Sequence, residues 1–241
     1  MNPRIRAIVR KEFTEYRRNK TIIITMAVIP VTFLGLALFT LIALPPDATH
    51  GAVRGAAGTA LSFFFVIPAI LPAAIAAYTV VGEREQGTLE SLLVTPVTDD
   101  ELLRGKALAA AAPTVLLSWV LLGLFVALAR AFATGPATDE LVRPQHILAA
   151  VIFAPLVAVF AITVSMGISA RTNDVRVAQQ LAGLAIIPMF VLAFVLSYNV
   201  LAPSVALYAA SAAVLALVDR LAWGLMARWF DRERLLTRYG R

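Results

Sequence analysis

The amino-acid sequence predicts an all-α integral membrane protein with six transmembrane helices. Hydrophobic residues make up 60% of the 241 residues and charged residues only 15%, and the mean hydropathy is +0.81. A soluble domain has about half of its residues apolar and about a quarter charged. A chain of this length keeps a large exposed shell, which this composition would make apolar. Lipid is the solvent that accepts such a shell.

Six apolar runs are each long enough to cross a bilayer, which takes about 20 residues of helix. They cover residues 21–44, 59–81, 107–129, 147–170, 178–198 and 204–227. The connections between them, such as 45–58 and 134–144, are predicted to be loops too short to form a soluble domain. Residues 1–241 are therefore predicted to form a single membrane domain, with an interfacial start (1–20), the spans (21–227) and a tail (228–241). The fifth and sixth runs are separated only around Asn199 and Pro203, so part of this region could instead be re-entrant.

Basic residues are distributed unequally about these spans. The N-terminal segment, the connections after the second and fourth spans and the C-terminal tail are rich in Lys and Arg, whereas the other side holds only Arg54, Arg130 and Arg143. Cytoplasmic segments retain Lys and Arg, so both termini are predicted to be cytoplasmic and the protein to lie in the cytoplasmic membrane. The same rule explains the net charge of +6 without a nucleic-acid partner.

The N-terminal segment is predicted to be an amphipathic helix lying along the lipid headgroups. Apolar residues recur there at three- and four-residue spacing while arginines occupy the other faces, which is typical of an interfacial helix. The apolar positions are Ile5, Ile8, Val9, Phe13 and Tyr16.

The connection 82–106, GEREQGTLESLLVTPVTDDELLRGK, is too structured for a simple linker. Leu89, Leu92 and Leu93 share one helical face, and Pro96 ends that helix. Thr98 followed by Glu101 is a capping-box pattern that predicts a new helix running into the third span.

This connection resembles the hallmark of type-2 permeases of ABC transporters, E-R-E-x-G-T-L-E-x-L-L-x-x-P followed by Gly-Lys at the start of the third span. The matching residues are Glu83, Arg84, Glu85, Gly87, Thr88, Leu89, Glu90, Leu92, Leu93, Pro96, Gly105 and Lys106. The basic N-terminal helix resembles the elbow helix of that family. The resemblance extends over the whole chain, in a compact form without a large insertion after the first span.

The resemblance implies that the connection is a coupling helix seated on a separate ATP-binding-cassette ATPase subunit. Two permease copies, as a homodimer, would then work with two ATPases by alternating access, mostly in export. Glu83, Arg84, Glu85 and Glu90 are the candidates for charge pairs with the ATPase. The loop that contains Arg171, Asn173, Asp174 and Arg176 is a secondary contact, in which Thr172 or Asn173 is expected to cap the next helix.

No catalytic chemistry is predicted for this chain. It has no cysteine, and His50 and His146 are predicted to be solvated loop residues. Gly105-Lys106 lacks the other residues of a phosphate-binding loop, so ATP and Mg²⁺ are expected on the partner subunit and no cofactor on this chain. Arg104 and Lys106 are interpreted as interfacial anchors.

Two other functional classes remain open from the residues alone. An intramembrane protease would draw support from the Glu83–Glu85 cluster but would need histidines within spans. An ATP-independent secondary transporter or channel would need ionisable residues at mid-membrane depth or an inverted repeat. Asp219, in the last span, is expected to be an anchor near the cytoplasmic boundary. The transported substrate is not indicated.

Overall fold

The computed structural model describes residues 2–45, 47–85, 87, 97–133, 135–197 and 205–229. Within these ranges the regular structure is entirely α-helical. The helices are α1 (Pro3–Arg18), α2 (Lys20–Ile42), α3 (His50–Glu85), α4 (Asp99–Phe132), α5 (Gly135–Leu141), α6 (Pro144–Ser169), α7 (Val175–Ser197) and α8 (Val205–Trp229).

The long helix α3 is the centre of the bundle. It packs against α2, α4, α5, α6 and α7, while α8 packs mainly against α6. Helix α1 lies against the first turns of α4 and the start of α2. The end of the bundle that carries α1 also contains the end of α3, the start of α4 and the α6–α7 connection; we call it the α1 end and the opposite end the distal end.

Five of the described helices are long and apolar enough to cross a membrane. They cover Ile22–Ile42, His50–Ala73, Asp99–Phe132, Pro144–Ser169 and Val205–Arg228. Large apolar side chains such as Val31, Phe39 and Leu221 are exposed on the outside of this bundle. Since water would not tolerate so many of them, the protein is a multi-pass membrane protein.

The predicted fifth span coincides with α7, whose described apolar stretch, Val175–Pro188, is shorter than a full crossing. Residues 198–204, on which the question of a re-entrant segment depends, lie outside the described residues, as do residues 230–241 of the predicted tail.

Two predicted loops are in fact largely helical. Helix α3 begins at His50, nine residues before the predicted start of its span at 59, because Val53, Ala57 and Ala60 are buried in the bundle core. Helix α5 lies within the predicted loop 134–144 and is held by burial of Leu141. Local composition suggested loops at both places, and packing against neighbouring helices stabilises helix instead.

At the distal end, the expectation that His146 is solvated is wrong. The His146 side chain is only 3% exposed, with its Nδ1 3.1 Å from the Glu140 carbonyl oxygen and its ring edge-on to Tyr208 at 6.4 Å between centroids. It is a packed structural residue. Arg54 and Arg143 pair with the Glu140 carboxylate at 3.8 and 2.7 Å.

Candidate functional site

A cluster of four acidic and basic side chains, three of them buried, joins α1, α3 and α4. The Lys106 ammonium donates to Oε1 of Glu12 at 2.7 Å and to Oε1 of Glu83 at 2.8 Å, and Lys11 donates to the same Glu83 oxygen at 2.6 Å. The exposed fractions are 2% for Lys106, 3% for Glu12 and 6% for Glu83. Lys11 is partly exposed and also pairs with the carboxylate of Glu15 at 3.1 Å. We call it the ion cluster.

Three helices supply the four members of the ion cluster. Glu83 lies in the last turn of α3, Lys106 about two turns into α4, and Lys11 and Glu12 in the middle of α1. Glu12 and Tyr16 occupy the buried side of α1, four residues apart, and Ile8 completes that face. The helix therefore buries an acidic residue within an otherwise apolar face, directly opposite Lys106.

Gly105 allows α1 to approach α4 closely. A Cβ atom at Gly105 would lie 2.7 Å from Cγ2 and 2.9 Å from Cβ of Ile8, distances that real Cβ atoms do not adopt. A glycine at this position removes that clash and lets the adjacent Lys106 reach Glu12. The Gly-Lys pair thus has a packing role and an electrostatic role in the same contact.

Burial makes the ion cluster sensitive to the loss of any one charge. A buried ion pair adds little net stability, but removing one partner leaves an uncompensated buried charge that costs about 3–5 kcal/mol. Burial lowers the pKa of Lys11, but its hydrogen bond to Glu83 and the attraction of Glu83, Glu12 and Glu15 outweigh this, so its pKa is raised. Lys11 therefore stays charged at neutral pH.

A cavity of about 490 Å³ adjoins the ion cluster and is lined by Glu12, Glu15, Tyr16, Lys20, Glu83 and Lys106, among others. Burial, more than the neighbouring glutamates, raises the pKa of Tyr16, whose ring faces this cavity from α1. The phenol is therefore neutral.

A second set of contacts ties the beginning of α1 to the first turn of α4. The capping box is confirmed, because the Glu101 amide donates to Thr98 Oγ1 at 3.2 Å and the Thr98 amide donates to Glu101 Oε2 at 3.1 Å. The Glu101 carboxylate also accepts from Asn2 and lies 3.4 Å from the Arg4 guanidinium. The segment between Glu83 and Lys106 is thus joined to α1 at both of its ends.

The predicted coupling residues are placed as follows. Glu83 is buried in the ion cluster, so its carboxylate is engaged within this chain. Arg84 and Glu85 belong to the last turn of α3, but their side chains lie outside the described part of the chain. Gly87 follows with a φ of +68°, a left-handed conformation that favours glycine and ends α3. The rest of the predicted coupling set lies outside the described residues: Thr88, Leu89, Glu90, Leu92, Leu93 and Pro96.

The predicted secondary loop lies beside the end of α3. The Val81 amide donates to Ser169 Oγ at 3.1 Å, and Val81 packs against Val175 and Ala178 of α7. The expected cap at Thr172 or Asn173 is wrong. Asp174 caps α7, its Oδ1 accepting from the amides of Arg176 at 2.7 Å and Val177 at 3.1 Å, because α7 begins at Val175 and Asp174 immediately precedes its first turn.

The exposed residues of this loop face away from the bundle core. Arg171, Asn173 and Arg176 are exposed, while Val175 is buried. The structure therefore brings the α6–α7 loop and the end of α3 together on one surface of the α1 end.

Sequence reasoning missed Glu12 and misjudged Lys106. Arg104 is exposed and pairs with Asp100 at 2.9 Å, as an interfacial residue can, but Lys106 is buried rather than an anchor. The physical reason is that Arg104 and Lys106, two residues apart on a helix, point to different faces. Glu12 is the one acidic residue on the apolar face of α1, and this position in the sequence could have indicated that its carboxylate is buried and paired.

Fold and site together define a multi-pass helical membrane protein whose charged motif residues meet at one end of the bundle. A family model described as ABC-2 family transporter protein matches residues 6–227, and the chain belongs to this family. No curated protein matches the chain. The family assignment agrees with the resemblance carried by the residues between Glu83 and Lys106.

Proposed function

We propose that this protein is the membrane-spanning permease subunit of an ABC exporter, driven by a separate ATPase subunit. The observation that supports the proposal most strongly is the family match over residues 6–227 together with the ion cluster at the two ends of the coupling segment. The proposed topology has six spans, α7 being the fifth, with the α1 end in the cytoplasm.

The arrangement suggests how force from an ATPase would enter the bundle. A segment that is fastened at both ends to α1 moves together with α1, the end of α3 and the start of α4. Displacing residues 86–96 would therefore tilt these three helices as a unit and change the membrane-spanning bundle beyond them. Packed helices transmit such shifts because their interfaces resist continuous deformation.

The ATPase is proposed to bind a surface composed of the coupling segment and the α6–α7 loop. Leu89, Leu92 and Leu93 would fill a groove of the partner, with Glu90 pairing at its rim. Two copies of the chain are proposed to enclose the pathway as a homodimer, opened alternately to each side, and ATP and Mg²⁺ would bind the partner.

In the test, the full-length tagged protein is co-expressed with the ATP-binding-cassette subunit encoded nearest to its gene and purified in lipid nanodiscs. Mass spectrometry then identifies the proteins that co-purify. Equimolar ATPase whose hydrolysis rate changes on assembly is expected. A protein that purifies alone under several gentle conditions, and conducts ions in liposomes without ATP, would contradict the proposal.

The variant Glu90→Lys tests the surface, and Asp100→Lys is its matched control. Both reverse one acidic charge, ten positions apart in the sequence, but Asp100 lies on the exposed first turn of α4, outside the hallmark string. Glu90→Lys is expected to weaken ATPase association at least about tenfold, consistent with loss of a charged contact at an interface, and Asp100→Lys to leave it nearly unchanged. Equal effects of the two variants would remove the specific role assigned to the coupling segment.

A further inference from the structure

Asp219 is a buried acidic residue of α8. The residue is only 6% exposed, and in the described part of the chain neither of its carboxylate oxygens has a hydrogen-bond partner. The expectation that Asp219 is an interfacial anchor is therefore wrong, since an anchor would expose its carboxylate to headgroups. Both oxygens are closed to solvent, so this acid is a packed residue of the bundle.

A second polar group within the membrane-spanning helices, the backbone carbonyl of Val151 in α6, cannot make its usual hydrogen bond. In an α-helix this oxygen accepts from the amide four residues later, but that residue is Pro155, which has no N–H. The proline ring also clashes with the carbonyl four residues before it, which turns that carbonyl away from the helix axis. Hydrocarbon supplies no donor, so an unsatisfied carbonyl at this depth is expensive.

The indole of Trp119, on the neighbouring helix α4, supplies the missing donor. Trp119 Nε1 donates to the Val151 carbonyl oxygen at 3.2 Å. Both residues are on the outer surface of the bundle, with exposed fractions of 41% for Trp119 and 37% for Val151, and Trp119 lies near the middle of the predicted span 107–129. The indole N–H needs an acceptor there as well, so one hydrogen bond satisfies two groups that lipid cannot.

A cavity of about 410 Å³ lies between α4 and α6, on the side of this hydrogen bond that is nearer the α1 end. Helix α4 runs from the α1 end to the distal end and α6 runs back, so α6 reaches Pro155 before it reaches the cavity. The cavity is bounded by residues of α4 and of α6, namely Ala107, Leu108, Ala111, Val159, Ile162 and Thr163. The part of α6 beyond the proline therefore has open space between it and α4.

The two parts of α6 are fastened to different elements. Its last residue, Ser169, accepts from the Val81 amide at the end of α3, whereas His146, near its start, contacts the Glu140 carbonyl of α5 at 3.1 Å. A displacement of the α1 end relative to the distal end must therefore be absorbed along α6. Pro155 is the point where the hydrogen-bond ladder of this helix is already interrupted, and such interruptions are where helices bend.

We propose that the Trp119–Val151 hydrogen bond is a latch that fixes the bend of α6 at Pro155. Releasing it lets the part of α6 between Pro155 and Ser169 swing about the proline, relative to α4, through the adjacent cavity. The latch requires only this chain. Its release during ATP-driven transport rests on the proposed function.

A double-mutant cycle on the full-length protein in nanodiscs tests the hydrogen bond, with thermal unfolding followed by circular dichroism. Trp119→Phe keeps an aromatic ring and removes the donor, so it should lower the unfolding midpoint by roughly 2–12 °C. Pro155→Ala restores an amide for the Val151 carbonyl, so in that background Trp119→Phe should lower the midpoint at most about half as much. Trp223→Phe, which removes an indole from the cavity wall, is the control and should cost the same in both backgrounds.

The distance between two spin labels tests the movement. The chain has no cysteine, so Asp100→Cys, at the start of α4, and Asn173→Cys, in the loop after α6, give one exposed label on each side. Trp119→Phe should add a second distance population that the wild-type protein shows only with the ATPase and ATP. Pro155→Ala should keep a single population even with ATP, because its ladder is continuous, and Trp223→Phe should match the wild-type protein.

An equal cost of Trp119→Phe in the two backgrounds would overturn the latch, since Trp119 would then be only a surface aromatic residue. An unchanged distance distribution in Trp119→Phe would also overturn it, because the hydrogen bond would then be a static clamp. If Trp119→Phe alone does not fold, the variant that also carries Pro155→Ala should fold, since the Val151 carbonyl regains a donor; failure of that variant would contradict the assignment.

The outcomes for the latch and for the proposed function are separable. If Trp119→Phe produces the second population but no ATPase associates, the latch stands and the proposed exporter function fails. If an ATPase associates and hydrolyses ATP while the wild-type protein, Trp119→Phe and Pro155→Ala give the same distances, the exporter function stands and the latch fails.

Discussion

Replacing Lys106 by methionine tests the ion cluster most directly. Methionine has nearly the length and volume of the lysine side chain but no charge, so the change removes two charge-assisted hydrogen bonds of 2.7 and 2.8 Å and little packing. Glu12 and Glu83 would then share only the half-buried Lys11.

The expected loss is about 3–5 kcal/mol, the cost of leaving a buried charge without its partner. For a chain of this size, each kcal/mol lowers the unfolding midpoint by about 2–4 °C, so the midpoint should fall by roughly 6–20 °C. The assay is thermal unfolding of the full-length protein in nanodiscs, followed by tryptophan fluorescence.

Arg104→Met is the matched control because it removes an exposed ion pair, with Asp100, from the same helix. Exposed pairs contribute about 0–1 kcal/mol, so its midpoint should move little. The double variant Glu12→Gln with Lys106→Met should recover part of the loss, since it removes the unpaired charge as well. If Lys106→Met were no more destabilising than Arg104→Met, the reasoning about burial would be refuted.

Three further substitutions test other contacts of the α1 end. Gly105→Ala should lower the free energy of unfolding by about 1–3 kcal/mol, because the added Cβ would clash with Ile8 of α1. Gly123→Ala is the control on the same helix: its Cβ would meet open space, so it should be neutral or stabilise by up to about 1 kcal/mol. Thermal unfolding measures both effects. Gly87→Ala should cost about 1–2 kcal/mol at its left-handed φ and weaken ATPase association, measured by co-purification. Gly87→Asn should retain more of the ATPase association in the same co-purification, because asparagine adopts the left-handed conformation more readily than alanine. Asp174→Ala should lower the free energy of unfolding by about 1 kcal/mol because it removes the cap of α7, and Asn173→Ala should lower it much less. Equal thermal unfolding midpoints for these two variants would count against Asp174 as the cap.

Features that depend on near neighbours in the chain were predictable. The capping box of Thr98 and Glu101 joins residues three apart, and the helical start of the chain follows from the periodicity of Ile5, Ile8 and Val9. Both are local, so the order of the residues is sufficient information.

Features that depend on distant parts of the chain were not predictable in the same way. Glu12 and Lys106 are 94 positions apart, and nothing in the periodicity of either helix pairs them. The start of α3 at His50 likewise depends on burial against other helices, and composition alone suggested a loop.

The sequence by itself determined that the chain resides in lipid, that it is helical and that it belongs to an ABC transporter family, because composition, span length and a long motif are properties of the chain read in order. Only the tertiary structure decided which charges are buried together. Glu83 and Lys106 belong to the motif and Asp219 to an apolar run, yet their surroundings come from helices remote in sequence. The energetic consequence of a charge depends on what surrounds it, and packing supplies those surroundings.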